Sequence, residues 1–122
     1  MISDRGSASV VTAAILVAVM VLALGAADVA RVLVAASNAQ TAADAAALAA
    51  AQSLAFPTDV EPATVAAELA ARNGARLRSC TCDPSSLEAL VAVEVPVGAL
   101  LLSAGDRVAV AEARAVVDLP GG

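Results

Sequence analysis

Between Arg5 and Asp28 the chain runs for 22 residues without a single charge. The stretch reads GSASVVTAAILVAVMVLALGAA, and its only polar side chains, Ser7, Ser9 and Thr12, lie near its start. As a helix it would be about 33 Å long, enough to cross a hydrocarbon layer of about 30 Å. A surface helix of a small soluble protein carries a polar face, and this one carries none. A fully buried helix would need protein on every side, and the rest of a 122-residue chain is a thin source of it. The run therefore predicts a transmembrane helix.

Residues 1–6 form a short leader with one arginine, Arg5. A cleaved secretory signal has a shorter apolar core, although Gly25 and Ala27 offer a small-x-small site for such a cut. Arg5 lies on one side of the span and Arg31 on the other, so the basic residues alone leave the orientation open. The remainder of the chain has the character of an exported domain, which places the short end inside and the long end outside.

The helix is expected to continue past the span. Residues 28–55 contain neither Gly nor Pro, and Ala, the best helix former, dominates their second half. Asp28 and Arg31, three residues apart, are placed to pair on the helix surface. Small residues recur at steps of three and four, and Ser37, Thr41, Asp44 and Gln52 fall on another face. Phe56 precedes Pro57 and so resists the helical conformation. Residues 7–56 thus read as one element, apolar below and amphipathic above. Ala36, Ala43, Ala47 and Ala50 are the candidate packing positions, where a neighbouring helix could approach closely.

Here the residues carry a resemblance. A hydrophobic span after an Arg-Gly leader, then Asp28-Val29-Ala30-Arg31, then Gln40-Thr41-Ala42-Ala43-Asp44-Ala45-Ala46-Ala47-Leu48-Ala49, resembles the TadE/TadG family of pilin-like proteins. Asp28, Arg31, Gln40 and Asp44 are the positions that carry it. The resemblance implies a minor pilin or pseudopilin of a Tad (Flp-type) pilus or secretion system, with an N-terminal helix and an extracytoplasmic head. It also implies other pilin-like subunits or platform proteins of the secretion apparatus as partners. Many type IV pilins place a Glu five residues after the leader cut. Counting from Gly6 that position is Val11, so the chain departs from them there.

Residues 57–122 are expected to form the small head. A Thr58-x-x-Glu61 capping box or Pro62 at the first position opens a helix over 63–73, and Gly74 stops it. The pattern then changes to period two. Strands are expected over 75–83, 87–95 and 107–118, with a turn at Pro84-Ser85-Ser86 and a loop over 98–106 whose middle is Leu100-Leu101-Leu102. In the second strand Leu87, Ala89, Val91, Val93 and Val95 share one face, and Glu88 and Glu94 the other. Val108 and Val110 are expected to point inward from the third. Pro120-Gly121-Gly122 is expected to fray. The fold class is α+β: a long transmembrane and amphipathic helix, a short helix and a three-stranded antiparallel sheet.

Little in the chain points to chemistry. There is no His and every basic side chain is Arg, which removes the commonest general bases and the commonest metal ligand. The net charge of -5 argues against nucleic acid and against an anionic lipid surface. Cys80 and Cys82 form the one reactive pair. Strand residues two apart lie about 6.8 Å apart, at the edge of disulfide reach. Free thiols, a disulfide within the chain or to a partner, and a redox role all remain open. No catalytic, cofactor or metal residues and no small-molecule substrate are expected. The structural reading is a membrane-anchored pilin-like subunit, single-pass with its head outside, or extracellular if assembled or cleaved. The other is a secreted or tethered binding module whose first helix is only a signal or anchor.

Overall fold

A computed structural model describes residues 2–102 and 105–120. Its elements are α1 (Ile2–Ala55), α2 (Pro62–Arg72), β1 (Arg76–Asp83), β2 (Glu88–Pro96) and β3 (Val108–Val116). The fold is α+β, as the change of period indicates. Ser103 and Ala104 of the expected loop, and Gly121 and Gly122 of the end expected to fray, lie outside the described residues.

The long helix is unbroken for 54 residues and begins at Ile2, inside the stretch read as a leader. At 1.5 Å per residue it is about 80 Å long. Phe56 ends it, its N–H still bonded to the Gln52 carbonyl, and Pro57 prevents continuation. Pro62 opens α2 at its first turn, and Glu61 is the N-cap without a side-chain bond. The capping box does not form. Thr58 Oγ1 instead accepts the N–H of Val60 at 3.3 Å within the connecting turn. At the other end Ala75 donates to Ala70 O and Gly74 to Ala71 O, with Gly74 at φ 74°. That is the paired closure a left-handed glycine allows.

The sheet has the order β1-β2-β3, antiparallel throughout. One face lies against α1. On β2 it presents Ala89, Val91, Val93 and Val95, all buried. On β1 it presents Leu77, Cys80 and Cys82. Leu77 and Cys80 share a face although three apart, because the register slips between Leu77 and Ser79 and leaves Arg78 as the extra residue of a bulge.

One expectation about β3 is overturned. Val108 and Val110 face outward, 51% and 47% exposed, and the half-buried positions are Ala109, Ala111, Ala113 and Ala115. Antiparallel partners share a face, and Val91 pairs with Ala113 and Val93 with Ala111. The helix crosses this face, and alanine lets it come close where valine would hold it away. A sequence signal for this existed: Glu112 and Arg114 have the same parity as the valines, so that parity had to face water.

The core is correspondingly thin. Ala35, Ala39, Ala42, Ala43, Ala46, Ala47, Ala50 and Ala51 form a buried stripe on α1. Ala66 and Ala70 of α2 and the β2 residues meet it, and the largest fully buried side chains are only Val91 and Val93. The outer sheet face is tied by ions instead. Arg76 pairs with Glu94, Arg78 lies 3.7 Å from the same carboxylate, and Arg114 pairs with Glu88 at 2.7 Å.

Candidate functional site on the head-bearing helix

Two surfaces divide α1 along its length. Toward its start Val10, Val11, Ile15, Leu16, Val17, Val19, Met20, Val21 and Leu22 are all more than half exposed. From Gly6 onward the helix is long and apolar enough to cross a membrane, and none of its most apolar stretch is covered by protein. Farther along, the alanine stripe is covered by the head. The transition lies between Gly25 and Ala35.

Asp28 sits at that transition and is 9% exposed. Its Oδ1 accepts the main-chain N–H of Leu101 at 2.7 Å, and its Oδ2 that of Leu102 at 2.8 Å. These come from the loop between β2 and β3. The Leu101 N–H, foremost, holds the Asp28 carboxyl below its ordinary range; desolvation opposes this, and the Leu102 N–H and the Arg31 charge add to it. One turn on, Arg31 donates from Nη1 to the Ala99 carbonyl. Leu102 Cδ1 lies over Gly25, 3.7 Å from where a Cβ would stand. Asp28 and Arg31 therefore grip the loop instead of pairing with each other, as their spacing had suggested.

The other two positions act together. Gln40 donates from Nε2 to the Glu112 carbonyl of β3 at 3.4 Å, and also to Asp44 Oδ1 at 2.9 Å, which holds the amide in place. Three of the four singled-out residues thus bind the head's backbone, and the fourth orients one of them.

Of the four alanines, only Ala36 is exposed. Ala43 and Ala50 have no exposed surface and Ala47 has 1%. They are packing positions, but what comes close to them is the chain's own head. Cys80 and Cys82 are joined in a disulfide, their Cα atoms 5.6 Å apart, so the thiol readings reduce to a bridge within the chain. Among the described residues no three His, Cys, Asp or Glu side chains converge on a common point. What the arrangement does is mechanical: it fixes a head to a rod at one height.

Reasoning from the sequence missed Ala99, Leu101 and Leu102 as the groups that Asp28 and Arg31 hold. The available signal was an apolar triplet inside a loop flanked by Gly98 and Gly105, an unusual place for three leucines.

Residues 6–53 match the family model described as "Putative Flp pilus-assembly TadE/G-like". The match falls wholly within α1 and contains Asp28, Arg31, Gln40 and Asp44. No curated protein and no solved structure matches the chain.

Proposed function

We propose, from the match of residues 6–53 to the TadE/G-like family model, that the chain is a minor-pilin-like structural subunit of a Flp-type (Tad) pilus or secretion apparatus. The first half of α1 anchors it in the membrane, and the head stands on the extracytoplasmic side. The observation that carries this reading is the division of α1. One rigid helix has an apolar half with no protein around it and a second half sheathed by a small domain. Such a subunit is held in a bilayer by one end, and its uncovered helix can pack beside the helices of other subunits.

The contact with partners then lies on the apolar half, not on the alanine stripe. A photo-reactive amino acid at Val17 or Val21 tests this in cells that express the whole apparatus. The expected result is adducts with pilin-like or platform proteins. Adducts with lipid alone, together with normal pilus assembly when the chain is deleted, would overturn the reading.

One observation favours the tether as a second reading. Ala43, Ala47 and Ala50, the best small-residue surface on the rod, are already occupied within the chain. A tethered binding module needs no helix partner, and the same cross-linking experiment separates it from a subunit.

A further inference from the structure

We propose that the β2–β3 loop is a second membrane contact: Leu101 and Leu102 enter the lipid boundary beside the emerging helix. The inference rests on the membrane reading of α1 and adds a lipid-binding site on the head itself.

Height along the helix is the first argument. Leu102 packs over Gly25, within the last turn of the uncharged run, and Asp28 and Arg31 follow directly. If residues 6–27 fill the hydrocarbon, the loop lies where acyl chains give way to headgroups. Exposure is the second. Leu101 and Leu102 are 52% and 54% exposed, and on α1 Val21 and Leu22, about one turn before Gly25, are 51% and 72% exposed. Leu102 reaches as far down the helix as Gly25.

Backbone chemistry is the third. A loop entering the lipid boundary is costly when its amides lack partners, because water becomes scarce toward the hydrocarbon. Here the N–H groups of Leu101 and Leu102 are both taken by Asp28, and the Ala99 carbonyl by Arg31. Above them, away from the span, Val97 N–H bonds to Arg107 O at 2.9 Å and closes the neck of the loop. The polar atoms turn toward the helix while the side chains of Leu101 and Leu102 stay about half exposed. That arrangement, which also fixes the head to the rod, suits an apolar boundary. With a net charge of -5, the attraction is apolar and not electrostatic, so zwitterionic lipid should serve.

The chain contains no Trp and no Tyr, which makes it a blank for fluorescence. The full chain would be reconstituted into phosphatidylcholine vesicles, with lipids brominated either near the headgroup or deep in the acyl chain. Three variants are compared: Leu101→Trp for the loop, Leu16→Trp for the span and Phe56→Trp at the far end of the helix, about 46 Å above Gly25. The expected result is strong quenching of Leu101→Trp by the shallow bromines and weak quenching by the deep ones. Leu16→Trp is quenched by the deep bromines, and Phe56→Trp by neither. A companion Leu102→Trp, quenched like Leu101→Trp, guards against local misfolding of one variant. If both loop variants escape quenching while Leu16→Trp is quenched, the lipid contact is refuted and the span stands. If Leu16→Trp also escapes, the membrane reading and the loop contact fall together. Equal quenching of Phe56→Trp and the loop variants would refute the loop contact as a specific site.

Discussion

Asp28 and Leu101 are 73 residues apart in sequence, and the carboxylate of the first accepts the main-chain N–H of the second at 2.7 Å. With Leu102 bonded to the other oxygen, one side chain on the helix captures two consecutive amides of a loop. Because these are charge-assisted bonds to backbone, they hold the loop's position whatever its side chains are. Together with Arg31 and Gln40, they set the height and rotation of the head on the rod.

Replacing Asp28 by Asn should release the loop without unfolding the sheet. An amide oxygen can accept from one of the two N–H groups, but the charge is lost. Hydrogen exchange read by mass spectrometry should be faster at the amides of Leu101 and Leu102, with β2 unchanged. Unaltered exchange at both would remove Asp28 from the role assigned to it.

Ala47→Leu should destabilise the head itself. Overfilling a close-packed contact costs about 1–3 kcal/mol, and each kcal/mol lowers the melting point of a domain this small by about 4–8 °C. Thr41→Leu on the exposed face is the control, expected within about 0.5 kcal/mol of the parent. A melting point that does not move for Ala47→Leu would mean the stripe is not packed as described.

The two faces of β3 make opposite predictions for neighbouring residues. Ala111→Leu pushes into α1 and should cost about 1–3 kcal/mol. Val110→Ala, on the outer face, should stay within about 0.5 kcal/mol. Thermal unfolding of the two variants reads this directly, and the reverse order would restore the inward valines.

Acid should act through two carboxylates. Asp83 is held below its ordinary 3.8 foremost by the Ser85 hydroxyl, then by the Ser85 N–H and the Ser86 hydroxyl. Asp28 is lowered in the same direction. A lowered folded pKa means that the stabilisation is complete above 3.8 and lost as pH falls through the folded values. The unfolding midpoint should therefore be flat down to about pH 5 and begin to fall below about pH 4. Asp83→Asn should flatten the acid limb. An acid limb unchanged in that variant would contradict the assignment.

Reducing the Cys80–Cys82 bridge should have a small effect. The loop it closes is far shorter than the 15-residue loop worth about 3 kcal/mol, so it removes little chain entropy. Melting with and without reductant should differ by only a few degrees. Complete unfolding on reduction would show that the bridge does more than close a short loop.

Much of this architecture was legible in local pattern. The uncharged run, the absence of Gly and Pro from 28 to 55, Pro57 as a stop and Pro62 as a start each depend on adjacent residues. So does the alternation of β2, where Glu88 and Glu94 mark the outer face and Val91 and Val93 the inner. β3 was misread because its valines drew more weight than the parity of Glu112 and Arg114. The alanine stripe was recognised as a packing surface, but its occupant was not.

What the sequence by itself determined is the order of the elements and which half of the long helix is apolar, since these follow from backbone sterics and contiguous side chains. Only the tertiary structure decided that Asp28 and Arg31 hold the β2–β3 loop, that Gln40 holds β3, and that Ala43, Ala47 and Ala50 are covered by the chain's own head. The reason is physical. A main-chain N–H or carbonyl has the same chemistry at every residue, so nothing in the letters at positions 99, 101 and 102 marks them as partners of a side chain some 70 residues away. Only the closed path of the chain, with the sheet folded back along the helix, brings them together.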